Sequence, residues 1–218
     1  MTDYMVYDHL ISGDSDLIRQ PIILAEGEGA LLRGALLGLI FKTIGSPAHG
    51  TNTGDGVCNN QALGANAQLG TYELVAVSAT DFAVYAPNGS RLADATVGTT
   101  YEGEIVFKIN ASTDGHAFVA GDSFTITVSR PVDSSGNLIE RYRWVHQSNL
   151  DGSAEACCLL ADDTDSTSAD ANGPAYFHGQ FDPTAILLQT GETIALYDTG
   201  GRIKDLFLRS IVPYNPPT

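Results

Sequence analysis

Hydrophobic and polar positions along the chain fall into three regimes. The first is a pair of apolar runs, Pro21–Leu24 and Leu31–Phe41, around a Gly-punctuated acidic turn at Glu26–Gly29. Two such runs about a Gly-rich connection predict paired strands. The longer run also fits a buried helix, and periodicity alone does not separate the two. Gly34 and Gly38 interrupt it, each at a cost of about 1 kcal/mol in a helix interior relative to Ala, and they favour strands. The only charged groups here are Glu26, Glu28 and Arg33, so the stretch reads as scaffold.

The second regime is cleanly β. Between Thr71 and Val128 the segments TYELVAV, DFAVYAP, EIVFKIN and SFTITVSR alternate or are rich in β-branched and aromatic residues. Turn signals separate them at Pro87-Asn88-Gly89, Tyr101–Gly103, Asp114-Gly115 and Gly121-Asp122. Short strands at this spacing predict a small antiparallel sandwich or barrel. Phe124, Ile126 and Val128 make one face of the last strand, and Ser123, Thr125 and Thr127 the other. Before this module, Ser46–Gly70 is rich in Gly, Asn, Ala and Thr and reads as linker and loop. Its glycines lack the strand-then-helix context and the Lys-Ser/Thr ending of a phosphate-binding loop. Pro131–Asn137 reads as the exit.

The third regime resumes with RYRWVHQS, an alternating strand that holds Trp144, the chain's single tryptophan. Ala156–Ala161 predicts a further strand. Asp162–Asp170 is read as a solvated acidic loop, because it lacks the Gly and Glu that a Ca²⁺-binding loop requires at its sixth and twelfth positions. No metal site is expected. Pro183–Leu188 is expected to start a short helix with Asp182 as N-cap. Gly200-Gly201 breaks the chain, Ile203–Val212 is apolar and is expected to pack on the scaffold, and Tyr214–Thr218 forms a tail. At the other end, Tyr4, Met5, Val6, Tyr7, Leu10 and Ile11 precede a polar stretch. Two readings compete there: a frayed terminus, or an arm that adds a strand to another chain's sheet edge. The apolar content favours the arm, since a merely solvated tail seldom carries so much. The expected class is mainly β with little helix: an arm over residues 1–20, a small β-rich domain from 21–45 plus 138–218, and an inserted antiparallel β-sandwich or barrel module with linkers over 46–137.

Composition narrows the function. The 218 residues carry a formal net charge of -15, which repels phosphate backbones, so no nucleic-acid partner is expected. No apolar run approaches the roughly 20 residues that span a bilayer, so no membrane partner is expected. MTDYMVYDHL has neither signal-peptide nor transit-peptide character, so synthesis and folding in a cytosol are expected. Cys58, Cys157 and Cys158 are not spaced as a disulfide framework and read as free thiols. His9, His49, His116, His146 and His178 sit in no recognisable catalytic word. His146 and His178 flank core strands and read as satisfied histidines. No catalytic activity and no cofactor are expected.

Read in order, the parts make a pattern: the N-terminal arm; Pro21, Leu24, Gly27, Leu32, Arg33-Gly34 and Leu36-Leu37-Gly38; then Ala156, Leu159-Leu160, Asp162-Asp163, Asp165 and Ser166; then Gly179, Phe181 and Asp182; and LFLRSIVP near the end. This resembles the head decoration proteins of tailed bacteriophages, typified by the lambda decoration protein. The resemblance covers about Met1–Ile44 and Arg141–Pro213, and the β module resembles an insertion seen in larger members. It implies a structural virion protein, made in the host cytoplasm, that binds the outer capsid surface as a homotrimer and stabilises the expanded head. Its implied partners are the major capsid protein and its own copies. It implies that Tyr4, Met5, Val6, Tyr7, Leu10 and Ile11 form the capsid-binding arm. Pro21, Leu24, Arg33, Gly34, Leu36, Leu37 and Gly38 would belong to the trimer core. The alternative from the residues is a surface-displayed module that binds a glycan or a host envelope, with Tyr72, Tyr85 and Tyr101 as a sugar platform.

Overall fold

A computed structural model describes Leu10, Ile11 and residues 16–197 of the chain. The protein is mainly β, with 44% of the described residues in strand against 4% in helix. Two compact units divide it: one is made of residues 1–40 and 139–218, the other of residues 41–138. The inserted unit thus begins before the expected position 46 and ends at Leu138. The arm boundary at residue 20 also moves, because the first strand already starts at Ile18.

The split unit contributes β1 (Ile18–Leu24), β2 (Ala30–Leu31) and β3 (Leu36–Ile40) before the insertion. The insertion supplies β4 (Thr43–Ile44), β5 (Ala48–His49), β6 (Val57–Leu63), β7 (Gly70–Ala76), β8 (Asp81–Tyr85), β9 (Ala95–Thr96), β10 (Thr100–Glu102), β11 (Ile105–Asn110) and β12 (Ser123–Ser129). The split unit then resumes with β13 (Arg141–Trp144), β14 (Ala156–Leu160), β15 (Thr164–Asp165) and β16 (Ala171–His178). A 3-10 turn at Pro183–Ala185 and the short α1 (Ile194–Tyr197) follow.

In the split unit, β1, β13, β3, β14 and β16 close a barrel in that order. The expected pairing of the two apolar runs with each other does not occur. β13 lies between them, parallel to β1 through Ile23 and Leu24 and antiparallel to β3 along its length. A parallel neighbour needs a long crossover, which the chain makes by way of the insertion. Two buried clusters explain why β3 and β14 read as unbroken apolar runs. One draws on all five barrel strands, through Ile22, Leu24, Leu37, Tyr142, Cys158, Leu160 and Ala175. The other uses the opposite face of β3, β14 and β16, where Leu36, Leu159 and Tyr176 are covered by Leu10, Phe181 and Tyr197. A strand buried on both faces shows no alternation, and this is what made the run ambiguous with a helix. The short helix expected over Pro183–Leu188 is one 3-10 turn, with the Asp182 carboxylate accepting from Thr184 N–H as expected.

The inserted unit holds a three-stranded sheet, β10-β11-β6, and a sheet in the order β4-β12-β7-β8-β9 with β5 also on β12. Phe124 and Ile126 are fully buried while Thr127 is exposed, as the alternation of β12 requires. Ser46–Gly70 is not all linker: it contains β5 and β6, and Cys58 belongs to the core, not to a polar loop. The word VCNNQAL escapes a pattern reading because the register shift against β11, with Asn60 at φ 56°, breaks its alternation.

All three cysteines are free. Burial pushes the Cys58 thiol up to about 12. Its contact with Cys157 and its burial raise Cys158 well above the usual thiol range. Buried thiols held protonated are inert packing groups.

Candidate docking surface

The predicted arm residues Tyr4, Met5, Val6 and Tyr7 lie outside the described residues. Leu10 and Ile11 do not belong to a free arm. Leu10 is 4% exposed, its carbonyl accepts Asp182 N–H at 2.9 Å, and Ile11 bridges Phe181. Both are spent inside their own unit, in the cluster with Leu36, Leu159, Tyr176 and Phe181. Gly34 lies beneath Leu10, and a Cβ there would come within 2.9 Å of the Ala185 carbonyl. Gly34 also adopts φ 93°, which any other residue adopts at a cost.

The predicted trimer core divides in the same way. Leu24, Leu36 and Leu37 are fully buried and Gly38 is buried within the barrel strands. A side chain already sealed in one subunit has no surface to offer a second, so these four hold the protomer together. Pro21 is exposed. Arg33 is half-buried, with its guanidinium 5.9 Å from the Tyr176 ring centre and its N–H donated to Asp163 at 2.7 Å.

Around Pro21 the outer face of β1 and β16 forms a shallow depression lined by Arg19, Gln20, Pro21, Asn172, Gly173 and Pro174. Pro21 and Pro174 face each other across the pair. Neither has an N–H to offer, so both fit only where the ladder asks for none. Leu17 and Ile18, at the start of β1, are 40% and 46% exposed. Among the residues predicted for the trimer core, Pro21 is the one exposed on this outer stretch, next to the exposed Leu17 and Ile18, which the sequence did not single out.

The acidic loop is bound to the scaffold. Asp162 pairs with Arg19, Asp163 accepts from Arg33 N–H, and Asp170 accepts from Glu26 N–H at 3.0 Å and lies 2.7 Å from Arg141 Nε. Thr164 and Asp165 pair with Leu31 and Ala30. These carboxylates meet arginines and backbone N–H groups, and no group of three or more metal-ligating side chains occurs among the described residues.

A second polar network was missed in the sequence. Arg143 donates from Nε to Glu28 at 2.9 Å and from Nη1 to Asp151 at 3.0 Å, while Glu28 also accepts Trp144 N–H. Asp151 in turn accepts Ser153 N–H and its hydroxyl. Burial works against the guanidinium charge, but the bonds to Asp151 and Glu28 outweigh it and raise its pKa. Glu28 and Arg143 stand 115 residues apart, so no local spacing announced them. Replacing Arg143 by Met leaves two nearly buried carboxylates without their cation. Partial exposure of the arginine tempers the cost, and we expect a loss of about 2–3 kcal/mol. Urea unfolding followed by Trp144 fluorescence measures it; an unchanged midpoint contradicts the assignment.

His146 Nδ1 accepts both the N–H and the hydroxyl of Ser148, at 3.1 and 2.6 Å, and Nε2 lies 3.4 Å from Glu192. Hydroxyl and carboxylate thus lie at the two ring nitrogens of one imidazole. Because one ring nitrogen takes both donors of a residue two positions on, the arrangement locks a turn. Tyr72 and Tyr101 are buried, and Tyr72 donates its hydroxyl to Glu104 at 2.7 Å. The expected sugar platform is therefore not formed: two of its three rings pack the interior of the inserted unit, and Tyr85 is half-buried.

No protein-family model matches the chain, and no curated protein matches it. Among solved structures, the crystal structures of Xanthomonas campestris FlgL in space groups C2 and H3 are similar at 19% identity, covering 47% and 45% of this chain. The TM-score is 0.32 for both, and the match spans 32% of the FlgL chain. A likeness at that level supports no statement about fold or function.

Proposed function

We propose that this protein is a non-catalytic structural virion protein, which binds the outer surface of a bacteriophage capsid as a homotrimer and stabilises the expanded head. The observation that carries the reading is the division of the chain. The two segments that resemble decoration proteins, about 1–44 and 141–213, coincide closely with the two segments that build the split unit. The intervening residues form a unit with its own core. Long insertions at surface loops cost little loop-closure entropy, so such a graft is physically cheap.

The working part of the clamp is the segment before Leu10, rooted through Leu10 and Ile11 and continued by Leu17 and Ile18. Three arms per trimer make binding multivalent. Once one is docked the next docks at high effective concentration, with a gain of about 10²–10⁴ over one arm. A truncation ending at Asp8 spares the buried root and tests the reading. The shortened protein should remain a folded trimer by analytical ultracentrifugation and should not bind expanded heads that the full chain decorates. Wild-type occupancy by the truncated protein overturns the arm assignment. A full-length chain that is monomeric at micromolar concentration overturns the clamp itself.

A further inference from the structure

The chain contains two Asn-Gly pairs, Asn88-Gly89 and Asn172-Gly173, and the fold treats them oppositely. Asn88 sits at the tip of the hairpin that follows β8, closed by a bridge from Tyr85 to Arg91. Gly89 donates its N–H to Ala86 at 2.8 Å and Ala86 donates to Ser90 at 2.9 Å. Asn88, Gly89 and Ser90 are all exposed, and nothing lies within 4 Å of where a Gly89 Cβ would stand. Asn88 Oδ1 accepts two hydrogen bonds from one residue, Ser90 N–H at 2.9 Å and Ser90 Oγ–H at 2.6 Å.

We propose that Asn88 is a site of spontaneous deamidation, promoted by Ser90. The Gly89 nitrogen bonds to Asn88 Cγ, Oδ1 takes up the electron pair as an oxyanion, and the amide leaves as ammonia with the Gly89 proton. Water then opens the cyclic imide at either carbonyl, giving aspartate or isoaspartate. No oxidant or further reactant is involved. Both Ser90 donors already point at the atom on which negative charge develops, which is the arrangement that lowers such a barrier. The opposing term is the Gly89 N–H bond to Ala86, which must open first. At a hairpin tip that opening is local and shallow.

Asn172 lacks both advantages. It lies within β16 opposite Ile23, its Gly173 is buried and paired with Ile22, and a Cβ on Gly173 would meet Thr164 at 2.6 Å. Freeing that peptide means opening the barrel. Reaction at position 88 adds a negative charge to the tip and, as isoaspartate, one backbone carbon to a tight turn.

The test incubates the full-length protein in mildly alkaline buffer and maps peptides by mass spectrometry with isoaspartate detection. Conversion at position 88 should outpace position 172 by about tenfold or more. Ser90→Ala should slow it about threefold or more, and Ser90→Thr, which keeps both donors, should hold the parent rate. Equal rates at the two positions overturn the proposal. So does a Ser90→Ala protein that reacts at the parent rate, or a Ser90→Thr protein as slow as Ser90→Ala.

Discussion

Gly38→Ala should abolish the cooperative unfolding transition of the barrel unit while the inserted unit keeps its own. Gly38 lies in the middle of β3, flanked by Arg143 of β13 and Ala156 of β14. A Cβ there would run into the Ser153 carbonyl and come within 2.8 Å of the Glu155 carbonyl oxygen. Both obstacles are backbone, so no rotamer change relieves them. Ser153 is itself fully buried and held by Asp151, which Arg143 anchors in turn. Moving it aside disrupts the polar network as well as the strand. Overpacking of a core by one methyl usually costs 1–3 kcal/mol; against an immovable backbone we expect about 4 kcal/mol or more. Trp144 lies in β13, so its fluorescence reports this unit alone, and hydrogen exchange over residues 41–138 reports the other. A variant within about 1 kcal/mol of the parent means that the backbone around Gly38 gives way without cost.

The second large effect belongs to Asp122, in the inserted unit. It is 2% exposed and accepts three backbone N–H groups: Thr53 at 2.8 Å, Gly54 at 2.9 Å and Val119 at 3.0 Å. One carboxylate thus ties two loops to the start of β12. Burial alone would raise its pKa, but the three donors outweigh burial and hold it below the usual carboxylate range. Asp122→Ala leaves those donors without their acceptor, and we expect a loss of about 3 kcal/mol near neutral pH. A depressed folded-state pKa means the stabilisation is fully present above the unfolded value and is lost as pH falls through the folded one. Asp55, Asp81, Asp133 and Asp165 are lowered too, each chiefly by hydrogen bonds from nearby side chains or backbone. Acid should therefore loosen the protein, and the gap between parent and Asp122→Ala should narrow as pH falls below the ordinary carboxylate range. Urea titrations of the inserted unit at several pH values check both parts. A gap that persists unchanged in acid shows that the charge on Asp122 is not what holds the loops.

The sites behind these two expectations differ in how visible they were. Gly121-Asp122 stood out only as a turn signal, and the partners at Thr53 and Gly54 lie almost 70 residues back, at |i−j| of 69 and 68. Gly38 was visible as an interruption of an apolar run, but the carbonyls it must clear come from a loop beyond the insertion. Leu10 looked like part of a docking strand because exposed and buried apolar residues have the same chemistry. Only its packing against Leu36, Leu159, Tyr176 and Phe181 shows that it is covered. The Tyr72 and Tyr101 rings misled for the same reason.

Alternation and turn chemistry by themselves determined the mainly β class, four strands of the inserted unit (β7, β8, β11 and β12), the two faces of β12 and the cap at Asp182. Each follows from contacts within a few residues, so a local pattern is sufficient. The word read as a turn at Tyr101–Gly103 is instead mostly strand β10. Tertiary structure alone decided that β13 separates β1 from β3, that β3 and β14 are covered on both faces, and that the acidic loop is anchored by Arg19, the Arg33 backbone N–H and Arg141. The physical reason is separation along the chain. The groups that close the barrel and satisfy its charges are brought together only when residues on either side of the insertion meet, and no periodicity within either segment encodes that encounter.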